Sequence, residues 1–221
     1  MTNLFSTFDP STSYYFNWNW LSMSTPFMLL PLNYFLIPSR YQMSFHNMKN
    51  FIIKEMKNNL NKTNFMSTIF FTMIFFNLMI NNLIGLHPYI FTATSHLVIS
   101  LSLALPIWMS IMIYGWIKTT NHMFTHLVPM GSPMMLSSFM VLIETISNLI
   151  RPLTLSVRLS ANMIAGHLLI SLLSGISESL PSMYFPSSLI LMTLLSLEYA
   201  VAMIQSYVFI TLLTLYLNEI N

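Results

Sequence analysis

The chain has 221 residues, of which 55% are hydrophobic and only 6% charged, where soluble chains carry about 25% charged residues. Six acidic and eight basic side chains cannot solvate a globule of this size, so most of the surface must face lipid and the chain reads as an integral membrane protein. A net charge of +2 suggests no nucleic-acid partner, and zero cysteines exclude a disulfide scaffold, a thiolate metal site, an iron–sulfur cluster and covalent haem attachment.

From the N-terminus, residues 14–37 form an uncharged apolar run of 24 residues, enough for one span. Tyr14, Tyr15, Trp18 and Trp20 crowd one end as an interfacial aromatic belt, and Pro26 and Pro31 should kink or irregularise it. Residues 40–62 are polar and basic, with Phe45, Met48, Ile52, Met56 and Leu60 at helical spacing. They predict an amphipathic helix on the membrane surface. Residues 65–86 and 96–117 are two uncharged spans joined by a turn containing Gly85 and Pro88. Residues 121–133 read as a loop. Residues 134–174 and 186–217 follow as two long helices, separated by a Gly/Ser/Pro-rich link over 175–182.

The last two elements are too long to stand upright. Their 41 and 32 residues would reach roughly 60 and 48 Å, against about 30 Å of hydrocarbon. They must tilt steeply, bend at a point such as Pro152, or extend beyond the bilayer. The expectation is therefore an all-α integral membrane protein, a single membrane domain over 1–221. It has about five membrane-crossing helices plus one amphipathic surface helix, the last two crossing helices forming a long, steeply tilted hairpin.

Five of the eight basic residues (Arg40, Lys49, Lys54, Lys57 and Lys62) lie in one segment. With that segment inside, Lys118 is inside as well, and Asp9, the turn at Pro88 and Glu178 lie outside. Every loop Lys and Arg then falls on one side, as the positive-inside rule expects. The N-terminus is outside and the C-terminus inside.

Glu144, Arg151, Arg158 and Glu198 remain within the spans, joined by His167. Each charge at a helix centre costs about 2.5–3.5 kcal/mol on the insertion scale. Such groups either pair to hold helices together or line an ion path, and their spacing favours the path. Glu144, Asn148, Arg151, Leu155, Arg158 and Asn162 step by fours and threes along one helical stripe. His167, nine residues past Arg158, lies on the opposite face of an ideal helix. Glu198 and Gln205 share a face of the last helix. Glu144 falls near the inner end of its helix, Arg158 near the middle and His167 near the outer end. Titratable groups on both sides of a central Arg suggest two half-paths separated by a fixed positive charge.

Two other readings compete. A haem- or copper-binding respiratory subunit needs His ligands at facing depths, and only His167 lies well inside a helix. A self-contained ion antiporter would be expected to show an inverted repeat, and none is apparent. His122 and His126 are four apart but sit in the predicted loop without a third ligand, so no metal site is expected. His46, His87 and His96 read as structural residues near interfaces. Methionines read as packing or lipid-facing residues, and Ser/Thr within spans should bond their own helix backbone.

Arg158 to Leu169 reads RLSANMIAGHLL, preceded by ETISNLIRP from Glu144 and followed by LEYAVAMIQSYVF from Leu197. Together with GLHPYIFTATSH, LSLALP and HLVPMGSP, these segments resemble the subunit a (subunit 6) family of mitochondrial F-type ATP synthases over essentially the whole chain. The resemblance implies a proton-translocating stator subunit of the Fo sector, with two offset half-channels to the c-ring. No catalytic residue, no substrate chemistry and no cofactor is expected in this chain. It further implies the c-ring, peripheral-stalk subunit b, small Fo membrane subunits and lipid as partners. The mitochondrial inner membrane is the implied location, with the N-terminus in the intermembrane space and the C-terminus in the matrix.

By matching motif, Arg158 takes the place of the essential arginine facing the ring carboxylates. Asn162, His167, Glu198 and Gln205 match polar positions of the intermembrane-space side and of the interface with the c-ring, and Glu144 the acidic residue of the matrix-side path. Bacterial relatives carry Glu and His exchanged at the positions of His167 and Glu198. Arg151 and Asn148 are accessory positions, the former varying between Arg and Gln. His87 and Met130 depart from the family, where an apolar residue and Gln are common. Twenty methionines with abundant Phe, Asn and Ile and no Cys also resemble translation from an AT-rich organelle genome. That would explain why no cleavable signal or transit peptide is evident before Arg40.

Overall fold

The computed structural model describes residues 4–11, 16–31, 35–60, 65–128, 134–179 and 184–220. Among them the structure is helical: 3-10 turns at Leu4–Phe8, Trp18–Ser24 and Ala93–Ser95, and seven α-helices. These are α1 (Thr25–Leu29), α2 (Arg40–Asn59), α3 (Phe65–Gly85), α4 (Leu97–Lys118), α5 (Thr120–Leu127), α6 (Met134–Ser179) and α7 (Tyr184–Ile220). Four of the described helices, α3, α4, α6 and α7, are long and apolar enough to cross a membrane.

The run over 14–37 is not one continuous helix. Residues 14, 15 and 32–34 lie outside the described set, and the rest forms the turn at Trp18–Ser24 followed by the five-residue α1. The prolines set both limits. Pro26 occupies the first turn of α1, where a missing N–H is harmless. Leu30 precedes Pro31 and is extended, as the proline ring disfavours helical geometry at the residue before it. The segment nevertheless runs along α3. Trp20 packs on Phe91 and His96 at the α3–α4 turn, while the Leu29 carbonyl accepts a hydrogen bond from Tyr41 at the start of α2.

Helix α2 begins with a reciprocal capping box. The Ser39 hydroxyl accepts from the Gln42 N–H, and the Gln42 side chain accepts from the Ser39 N–H. The helix stops at Asn59, and Lys62 lies outside the described residues. Most of its predicted apolar face is turned onto protein, while Met48 stays exposed. Ile52, Met56 and Leu60 are buried in the core, and Phe45 packs on Phe76 of α3 at 4.6 Å. Tyr207 of α7 donates to Glu55 and ties the helix to the hairpin.

One core cluster joins the helices. It contains Phe71, Phe75 and Leu78 of α3, Trp108 and Ile111 of α4, Leu155 and Leu159 of α6, and Phe209, Ile210 and Leu213 of α7. The pairs α4–α6, α6–α7 and α3–α7 make the most extensive contacts. Hydroxyls within the spans bond carbonyls of their own turn, as at Ser156 to Leu153, Ser206 to Met203 and Thr214 to Thr211. Burial of these polar groups therefore leaves no donor unmet.

Two connections differ from expectation. Thr120 and residues 121–127 of the predicted loop form α5, because TNHMFTHL is amphipathic enough to bury Met123 in the core; residues 129–133, including Met130, lie outside the described set. The predicted link over 175–182 is helical to Ser179, and residues 180–183 lie outside the described set. Ser174 and Ser177 return their hydroxyls to Ser171 and Ser174 carbonyls, which accommodates a polar stretch within a helix. The final helices thus have 46 and 37 residues, about 69 and 55 Å, longer still than the sequence predicts.

Candidate functional site

The polar residues of α6 and α7 divide into two clusters on either side of Arg158. On the C-terminal side, the Asn162 amide donates to Gln205 Oε1 at 3.2 Å, linking α6 to α7. Glu198 is 8% exposed and both its carboxylate oxygens lack a protein partner. It can lie this deep because residue 166 is glycine: a Cβ there would stand 2.9 Å from Glu198 Cδ and Oε1. These groups line a cleft of about 500 Å³ together with Asn82 of α3 and Leu86 just after it.

Next to Gly166, the His167 ring bonds the backbone of Gly85, at the end of α3. Its Nε2 is buried without a protein partner. The free nitrogen can therefore accept or deliver a proton. Phe8 meets the same ring edge-on at 6.1 Å. His167 and Glu198 do not hydrogen-bond to each other, so transfer between them requires water. Buried polar groups lacking protein partners are where ordered water sits.

The other cluster lies towards the start of α6. Glu144 and Asn148 face a second cleft, of about 490 Å³, lined by Trp108 and Met112 of α4 and Met123 of α5. Arg151 Nη2 lies 3.5 Å from Glu144 Oε1, and its guanidinium sits 4.8 Å over the Tyr216 ring of α7. The accessory Arg151 is thus the counter-charge of Glu144.

Arg158 belongs to neither cluster. It is exposed near the middle of α6, and no hydrogen bond or ion pair satisfies it among the described residues. By helical rise it stands about 21 Å from Glu144 and 13 Å from His167 along the axis. The stripe is therefore real as a helical face but mixed in environment: Leu155 is buried, Asn162 turns to α7 and Arg158 points outward.

Three contributors were not singled out from the sequence. Gly166 admits the Glu198 carboxylate, Gly85 orients His167, and Asn82, 1% exposed with an unpartnered Oδ1, lines the cleft. An asparagine within an apolar run was the available signal for Asn82, and AGH beside the histidine for Gly166.

Long paired helices, two separate clefts and an exposed arginine between them define a multi-pass all-α membrane protein with ionisable groups inside its spans. The profile of the ATP synthase A chain family matches residues 16–218. Proteins described as ATP synthase subunit a are similar over the full chain. That of Anopheles gambiae is 54% identical over 226 residues and that of Drosophila melanogaster 52% over 225, each covered 100% in both chains. That of Locusta migratoria is 53% identical over 223 residues, covering 100% of this chain and 99% of the relative. The chain belongs to the ATP synthase A chain family. It is a proton-translocating stator subunit of the Fo sector, associated with the ATP synthase complex and multi-pass in the mitochondrial inner membrane. This displaces the antiporter and haem-subunit readings.

Proposed function

We propose that protons pass between the two clefts on carboxylates of a c-ring, with Arg158 as the fixed charge between the clefts. A proton from the intermembrane space, guided by His167 beside Gly166, reaches the cleft of Asn162, Glu198 and Gln205 and neutralises a ring carboxylate. The neutral site can then enter lipid and travel round. On its return from the other side, the site gives its proton to the cleft of Glu144, where Asn148 and Arg151 hold the matrix-side carboxylate. Subunit b, the small Fo subunits and lipid cover the remaining apolar surface. The N-terminus lies in the intermembrane space and the C-terminus in the matrix.

The observation that carries this reading is the exposed, unpaired Arg158 at the middle of a helix long enough to span the bilayer. A charge placed so in lipid is unfavourable by about 2.5–3.5 kcal/mol, and a passing carboxylate relieves that. Arginine suits the role because its pKa above about 12 keeps it charged in a low-dielectric interface, whereas a buried lysine can shift by several units and release its proton.

The test is to reconstitute variants with the ring and record ATP synthesis and proton flux together, after confirming assembly. Arg158→Lys should abolish coupled synthesis despite its nominal charge. Arg158→Ala should abolish it and permit passive flow, driven by about 2.3 kcal/mol per proton for each 100 mV. Near-parental synthesis by Arg158→Lys would show that the arginine is no barrier.

A further inference from the structure

His87 stands where α3 gives way to the turn before α4, and nothing in the route above uses it. The turn over 86–96 contains no Lys, Arg, Asp or Glu, so its titratable side chains are His87, Tyr89 and His96. His96 is enclosed by the Trp20 and Phe91 rings, with its Nε2 buried. His87 is exposed.

Its neighbours are those of the outer cleft. The His87 ring meets Tyr199 of α7 at 6.1 Å and 66°, and Tyr199 directly follows Glu198. Leu86, the residue before His87, lines the cleft that holds Glu198. Gly85, one further back, binds the His167 ring. Tyr199 of α7, next in sequence to Glu198, is thus the titratable group in ring contact with His87, while Tyr89 of its own turn is fully exposed.

We propose that His87 is the proton-collecting group at the mouth of the outer cleft. This rests on the reading of His167 and Glu198 as the uptake side. An imidazolium at residue 87 gives its proton to cleft water, and the Glu198 carboxylate accepts one from that water. The neutral imidazole is then reprotonated by solvent buffer, so protons balance and no electrons move.

The need for such a group follows from proton scarcity. At pH 8 free protons are about 10 nM, and encounter at about 10⁹–10¹⁰ M⁻¹s⁻¹ delivers only some 10–100 per second to a single buried carboxylate. Histidine is the side chain that changes charge between about pH 5 and 8, so an exposed one can draw on buffer rather than on free protons.

The competing explanation is that His87 only packs against Tyr199. His87→Gln and His87→Phe separate the two, the second keeping a ring on Tyr199. Proton flux is measured in vesicles holding the assembled complex, with the outer-side pH varied from about 6 to 8 in dilute or concentrated imidazole buffer. Both variants should lose flux several-fold at pH 8 in dilute buffer, match the parent at pH 6, and recover when imidazole is added on the outer side. Parental flux at pH 8 would overturn the proposal, as would a loss equal at both pH values and unmoved by imidazole. Glu198→Gln in the same vesicles tests the underlying reading. Full flux from that variant removes the uptake assignment itself, whereas slow flux beside parental His87 variants removes only the role of His87.

Discussion

Replacing Gly166 by alanine separates helix stability from proton handling at one position. Alanine is favoured over glycine in a helix interior by about 1 kcal/mol, so α6 gains locally. The new methyl would nevertheless stand 2.9 Å from Cδ and Oε1 of Glu198 and 3.2 Å from Oε2. Non-bonded atoms settle near 3.5 Å, so the carboxylate must retreat by about 0.6 Å. It is the end of a flexible side chain and can move without disrupting the fold. A misplacement of 1 Å in a reacting geometry costs about 10²-fold, so a retreat of this size predicts a loss on the order of tenfold. The assay is proton uptake from the outer side in vesicles of the assembled complex, with thermal unfolding in parallel. Gly175→Ala is the control, because nothing lies within 4 Å of its added methyl. It should keep parental flux and gain up to about 1 kcal/mol. Shortening the acid in Gly166→Ala/Glu198→Asp should restore part of the flux. Parental flux from Gly166→Ala alone would refute the argument that the glycine exists to admit Glu198.

Glu144→Gln should slow proton exchange with the matrix while leaving assembly intact, and His167→Ala should slow exchange on the opposite side; pH jumps on each face would reveal identical sidedness if the two-cleft arrangement is wrong. Since the chain has no cysteine, Lys54→Cys introduces a sole thiol on α2, which should react with an impermeant reagent from the matrix and not from the intermembrane space. Tyr207→Phe removes the hydrogen bond to Glu55 and should loosen α2 by about 1 kcal/mol, seen as faster amide exchange over Arg40–Asn59 with α4 unchanged.

The long helices were legible because apolar length and the fours-and-threes spacing of Glu144, Arg151, Arg158 and Asn162 are properties of one segment. Pro31 likewise announces the break after Leu29, since its effect on Leu30 is local. What escaped depends on contact between segments. Periodicity places the apolar face of α2 but does not say that Ile52 and Met56 meet protein rather than lipid. It puts Glu144 and Arg151 on one stripe without revealing that they pair while Arg158 does not. Helix α5 is short and polar enough to resemble a loop until Met123 finds the core. The closeness of Glu198 to Gly166 is a property of how α6 meets α7, to which neither helix alone testifies.

The outward-facing Arg158 also bears on biogenesis. A newly inserted chain holds this charge against lipid before any ring is beside it, at the same penalty of about 2.5–3.5 kcal/mol. By linkage, binding a carboxylate-bearing partner stabilises the inserted form by whatever part of that penalty it removes. Relieving the whole of it favours the assembled over the orphan chain by roughly two orders of magnitude. The side chain proposed to stand between the two clefts thereby also biases the chain towards completion of the complex, and an orphan copy remains the less stable resident of the bilayer.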